Sequence, residues 1–221
     1  GIYSISYKIP TILSMVQGTF YSAWSVSAIT EFDPKDSDGF IGDVFTAYTT
    51  ACILLGSAVM VCNIFIAKII YSNDFFLAWK NVPLLLIGSV FNGLGLILGC
   101  IFTAVKRTRD ISTTSLIGAA TNTAFNFLLI PWLGAIGAAF GTVVGNFVVV
   151  VTRLNRLKNV VQMKVAWRPI LSSLVVLCGQ CILATLSENV GIQIPCMLVL
   201  LLLNRPVVIK LLSMFRQQIQ K

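Results

Sequence analysis

Apolar residues run along this chain in long blocks separated by short polar and charged stretches. A helix needs about 20 apolar residues to cross the hydrocarbon core of a bilayer. Seven blocks approach or exceed that length: 9–30, 43–71, 76–105, 113–131, 134–152, 168–187 and 190–204. The second and third are longer than the bilayer is thick and are expected to tilt or project. The seventh is short, contains Pro195 and runs into Asn204-Arg205-Pro206. It is expected to span at a tilt, with 206–220 lying along the surface as an amphipathic helix. The pattern predicts an all-α fold, a polytopic transmembrane helix bundle of about seven spans.

Composition strengthens this reading. The 221 residues are 57% hydrophobic and only 11% charged, against about 25% charged in an ordinary soluble domain. One water-soluble core cannot hide that much apolar side chain, so the chain is expected to be integral to a membrane. The net charge of +8 would suggest nucleic acid in a soluble protein. Here the cations fall in short segments between spans, which is the footprint of membrane orientation, and nucleic acid is set aside.

With the N-terminus outside and the spans alternating, all but three of the 16 Lys and Arg residues fall on inner segments. The exceptions are Lys8, Lys68 and Lys80. An inserted or missing span would scramble this separation, so it supports both the count and the direction, with the C-terminus cytoplasmic. Trp24, Trp79, Trp132 and Trp167 all fall near predicted span ends, where an amphipathic ring prefers to sit. The longest inner loops are 31–42 and 153–167. Residues 1–152 read as core helices, and 153–221 as an inner loop, terminal helices and a basic tail. The chain begins at Gly1 in mid-pattern and is read as the C-terminal part of a longer protein.

Several chemistries are disfavoured. There is no histidine, which removes the commonest metal ligand and general base. The six cysteines lie in apolar runs, and Cys178-Gly-Gln-Cys181 has redox spacing without a surrounding βαβ pattern, so they read as small packing residues. The acidic residues lie in loops or at span ends, with no phosphate-cradling glycine loop. No catalytic group, metal site or cofactor is predicted, and the chain is not expected to be an enzyme.

The stretch SLIGAATNTAFNFLLIPWLGAIGAAFGTVVGN (115–146) asks for more than anchoring. Asn122 and Asn126 stand four residues apart on one helical face, with Ser115, Gly118 and Ala119 alongside. An unpaired amide costs several kcal/mol in hydrocarbon, so this stripe faces other helices or a wet cavity. Asn63, Asn92 and Asn146 add amides within other spans. Each alone reads as interhelical glue, worth roughly 0.6–2 kcal/mol; their recurrence across spans points to a shared polar interior. Gly137, Gly141 and Gly145, and Gly95 with Gly99, form GxxxG faces that let backbones approach. Pro131-Trp-Leu-Gly134 reads as a tight outer turn. Lys8, Lys68 and Lys80 either snorkel to water or offer a cationic lining. Lys8, beside Tyr3 and Tyr7, would suit sugar and phosphate, and Trp24 offers a stacking face.

Taken together, GIYSISYKIP (1–10), AWSVSAITE (23–31), AWKNVP (78–83) and above all SLIGAATNTAFNFLLIPWLGAIGAAFGT (115–142) resemble the C-terminal half of bacterial polysaccharide flippases of the O-antigen and capsule type. These belong to the superfamily of multidrug, oligosaccharidyl-lipid and polysaccharide exporters. The likeness covers most of residues 1–160; the last 50 residues are generic. It implies 12–14 helices in two lobes resembling multidrug and toxin extrusion transporters, around a central cavity with alternating access. The implied substrate is an undecaprenyl-diphosphate-linked oligosaccharide flipped across the bacterial cytoplasmic membrane. Substrate-cavity candidates are then Lys8, Tyr7, Trp24, Asn92, Asn122 and Asn126. Implied partners are the lipid-linked oligosaccharide, membrane lipid, the N-terminal lobe of the same chain and the polysaccharide polymerase machinery. Residues 1–221 alone are expected not to transport. The alternatives are a cation-coupled multidrug exporter of the same superfamily, which would want a carboxylate within the membrane, and a membrane glycosyltransferase or polymerase, which would want larger loops.

Overall fold

Each of the seven apolar blocks folds as a helix. The computed structural model describes residues 2–30, 32–71, 73–210 and 213. A short α1 (Ile2–Ser6) leads into α2 (Lys8–Thr30) and α3 (Phe40–Ile70). A 3-10 helix (Asn73–Asn81) precedes α4 (Val82–Ala104) and α5 (Thr108–Leu133). Then come α6 (Ala135–Leu157), α7 (Trp167–Leu186) and α8 (Val190–Leu203). No strand occurs among the described residues. Residues 205–210 are helical again, and most of the expected surface helix 206–220 lies outside the described residues.

Five stretches are long and apolar enough to cross a membrane: Phe40–Ile70, Phe75–Ala104, Thr108–Leu133, Ala135–Leu157 and Trp167–Leu186. They fit a multi-pass membrane protein. α2 is long enough at 23 residues, but Gln17 and its many serines and threonines hold its hydropathy down. α8 has only 14 residues.

The packing contacts fix the helix directions. Facing α5–α6 pairs, such as Gly118 with Gly145 and Asn126 with Gly141, advance in opposite senses, so these helices are antiparallel. Gly88 meets Thr142 while Gly95 meets Val149, so α4 and α6 run parallel. Ser57 of α3 pairs with Gln180 of α7, and Thr50 of α3 with Asn204 just past α8. These contacts are those of a bundle whose helices alternate in direction. Lys8, Lys68 and Lys80 then share one end with the short connection at Gly134. The other end holds the 32–39 and 158–166 connections and most of the remaining cations.

α4 is the hub. In the most apolar 18 residues of each, 83% are buried in Phe75–Ala104 but only 6% in Thr108–Leu133. α2, α3, α6 and α7 all pack on α4, whereas α5 rests mainly on α6. The outward side of α5 carries Leu116, Phe127, Leu128 and Trp132, exposed by 69%, 80%, 63% and 85%, a face suited to acyl chains.

Three local features differ from the sequence pattern. The third block does not begin as α-helix: residues 73–81 form a 3-10 helix, and α4 starts at Val82 with Pro83 in its first turn, where the missing N–H costs no intrahelical bond. Pro131 does not break its helix, because it falls in the last turn of α5 and forfeits one backbone bond only. The turn is made at Gly134, whose φ of 56° suits a residue without a Cβ. Finally, α6 continues five residues past the bilayer-length cut at 152, so Arg153 and Arg156 are helical and not part of a loop.

The two long connections at the cation-rich end are tied together by Asp36. Its buried carboxylate accepts from the amides of Ile41 (2.9 Å), Gly42 (3.0 Å) and Lys164 (3.1 Å). This caps the start of α3 and holds residues 158–166 against it. Asp33 stays ionised more readily than an ordinary carboxylate because the backbone amides of Ser37 and Lys35 point at it.

Candidate functional site

An open groove of about 420 Å³ runs between α4, α5 and α6. Its polar lining comes from Asn92 of α4, Ser115, Asn122 and Thr123 of α5, and Asn146 and Arg153 of α6. The helices meet this closely because α5 and α6 present small residues to each other. A Cβ on Gly145 would lie 3.0 Å from the Gly118 carbonyl oxygen and 2.8 Å from the Asn122 Cβ. Gly141 faces Asn126, and Gly137 faces the Leu129 backbone. The 137–141–145 stripe is therefore the seam of the α5–α6 hairpin.

Gly95 and Gly99 serve a different end. A Cβ at Gly99 would come 3.1 Å from a terminal nitrogen of Arg153, and one at Gly95 3.7 Å from it. The absent side chains of α4 leave the space that the guanidinium fills. Arg153 is only 6% exposed. It donates to Thr114 Oγ1 (3.1 Å), Ser115 Oγ (2.9 Å), the Ile111 carbonyl (3.5 Å) and the Gly95 carbonyl. All of these acceptors are neutral, and among the described residues no carboxylate lies within ion-pair distance of it. Moving a cation out of water costs several kcal/mol even after relaxation. Neutral acceptors offset part of that cost and leave a full positive charge at the groove wall.

The amides behave unequally. Asn146 donates to the Gly88 carbonyl (3.0 Å), tying α6 to α4. Asn122 donates to Thr142 Oγ1 (3.3 Å), and Asn126 to the Asn122 oxygen (2.9 Å). The Asn126 oxygen is buried against Gly141 without a partner among the described residues. Asn92 is exposed on α4, whose neighbouring positions are almost all buried. Asn63 does not reach the groove: it is buried and donates to the Trp79 carbonyl (3.0 Å).

A polar lane leaves the groove toward the end holding Lys8. Thr142 Oγ1 lies 2.9 Å from the Tyr3 hydroxyl, which donates to Tyr7 (3.3 Å). Burial, reinforced by Tyr7, pushes the Tyr3 phenol up to about 12, so it remains a neutral hydroxyl near pH 7. From Thr142 to Arg153 is about 16 Å along α6 at 1.5 Å per residue, over half the hydrocarbon thickness. Beyond Arg153, the half-buried Asp110 joins Arg156 (2.6 Å) and Arg107 (2.7 Å) at the cation-rich end.

Of the cavity candidates, Asn92 and Asn122 line the groove and Asn126 lies one turn beyond. Tyr7 stands at the end of the lane through Tyr3. Lys8 is exposed in the first turn of α2 and forms no ion pair among the described residues. Trp24 is elsewhere, buried in the core with its ring 5.4 Å from Phe40. The sequence reading missed Arg153 and Thr142. Arg153 stands seven residues after Asn146, hence on the same helical face, but the loop assignment hid it. Among the described residues no group of three or more His, Cys, Asp or Glu side chains comes together to hold a metal. Compared with family models, curated proteins and solved structures, the chain finds no match.

Proposed function

We propose that this chain is the second lobe of a flippase that carries lipid-linked oligosaccharide diphosphates across a bacterial cytoplasmic membrane by alternating access. In this reading α2–α8 supply seven spans and the cation-rich end faces the cytoplasm. The groove is the lobe's share of a central cavity closed by a preceding lobe. The observation that carries the proposal is Arg153: a buried guanidinium without a carboxylate, set in a wall of amides and hydroxyls. Amides and hydroxyls suit a sugar, and the uncompensated cation suits a phosphate. The lipid tail stays in the bilayer beside the open groove, so only the polar head crosses.

The drug-exporter alternative fits this wall less well, because Arg153 repels a cationic drug and no carboxylate among the described residues lines the groove. Deleting the full-length gene tests the proposal. Surface polysaccharide should stop while lipid-linked units build up on the inner leaflet; a surface polymer that persists overturns it.

A further inference from the structure

A second cavity, of about 480 Å³, lies where the end of α6 meets the 158–166 connection and the start of α7. It shares no lining residue with the groove. Its floor is apolar, built from Val151, Leu154, Val161, Met163 and Trp167, and its polar rim includes Asn155 and Lys158. Trp167 is 41% exposed and Val151 37%, so the floor opens sideways toward acyl chains. The rim lies at the cation-rich end of the bundle, where headgroups would stand.

Charge decides the occupant. Of the carboxylates described at this end, Asp110 is held by Arg107 and Arg156, Asp43 by Lys210, and Asp33 and Asp36 by backbone amides, while Asp38 is exposed and forms no ion pair among the described residues. Lys158 is left with one weak neutral contact, to Asn155 Oδ1 at 3.4 Å, and no carboxylate within ion-pair distance among the described residues. We propose that this cavity holds an anionic glycerophospholipid, its headgroup phosphate on Lys158 and an acyl chain along Val151, Leu154 and Trp167. A free inorganic anion has no use for that floor, and a zwitterionic lipid gains less from the uncompensated cation. The inference requires that the helices cross a bilayer, and it stands or falls independently of the flippase reading.

Trp167 reports occupancy. The full chain is reconstituted in phosphatidylcholine vesicles with rising fractions of phosphatidylglycerol brominated on its acyl chains, and the Trp167 signal is taken as the difference from Trp167→Phe. Quenching should saturate at a roughly five-fold lower fraction of brominated phosphatidylglycerol than of brominated phosphatidylcholine, the effect of about one lysine near a headgroup. Lys158→Gln should abolish the preference and Lys158→Arg should keep it. Lys158 is exposed, so neither change threatens the fold. Equal quenching by both lipids would mean ordinary boundary contact and would overturn the site. So would a preference that survives Lys158→Gln, since the basic end as a whole would then be the cause.

Discussion

On the α3–α7–α8 side of the bundle, Ser57 donates to the Gln180 oxygen (2.7 Å) and Gln180 donates back to the Ser57 carbonyl (3.2 Å). Asn204 closes a similar set with Ser173 (2.7 Å) and Thr50 (3.3 Å). On the α4–α5–α6 side, Asn92, Asn122 and Asn146 stand around an open groove with a cation in its wall. Both sides hold polar groups inside apolar helices. In the first, polar side chains satisfy one another in a dry seam; Gln193 and one Asn63 atom are exceptions, buried without partners among the described residues. In the second, the hydrogen-bonding capacity exceeds what the protein itself uses. The surplus, more than the amides themselves, marks a place where something from outside can bind.

The largest expected effect is at Arg153. In the longer protein proposed here, Arg153→Ala should lower transport by about a hundred-fold, as expected when a charged hydrogen-bonding group worth about 3 kcal/mol is removed. Arg153→Lys should fall between, since a lysine keeps the charge but loses the fork. Accumulated lipid-linked units on the inner leaflet provide the readout, with protein level measured in parallel. If Arg153→Ala transports normally at normal abundance, the groove is no more functional than the dry seam.

Next is the hairpin that shapes the groove. Gly145→Leu forces a side chain into the Gly118 carbonyl and Asn122, and should cost about 1–3 kcal/mol of stability, read as a lowered thermal midpoint in detergent. The dry seam should respond by pairing logic. Gln180→Leu leaves Ser57 unpaired and should cost about 1 kcal/mol, while adding Ser57→Ala should recover most of it, with transport unchanged throughout. Smallest in stability is Asn92→Leu. The amide is exposed and makes no described hydrogen bond, so the midpoint should move by less than about 0.5 kcal/mol, yet transport should fall. A large loss of stability here would show that Asn92 is structural glue after all.

Much of the architecture was legible because bilayer thickness and helix rise leave few choices. Each apolar block yields a helix, and the turn expected at 131–134 joins two antiparallel helices at Gly134. What escaped reading was the destination of single polar side chains. Asn63 and Asn92 look alike in sequence, yet one caps the Trp79 carbonyl and the other faces the groove, because helix rotation about α4 is set by neighbours far along the chain. Gln17 gave no signal, although it is buried and donates to the Ser89 carbonyl (2.9 Å). Trp24, which offered a stacking face for the cavity, is buried against Phe40 and away from the groove. Arg153 was hidden by the length rule itself: cutting the span at 152 turned a buried guanidinium into a loop charge.

Access of water to the amides separates the two sides most directly. Single cysteines at positions 92, 122 and 180, in a background lacking the six native cysteines, are exposed to a membrane-impermeant thiol reagent applied from either face. Labelling is expected at 92 and 122 in at least one conformational state, with protection at 180 in all of them. Protection at all three positions would reduce the groove to a scaffold and leave it no different from the α3–α7–α8 seam.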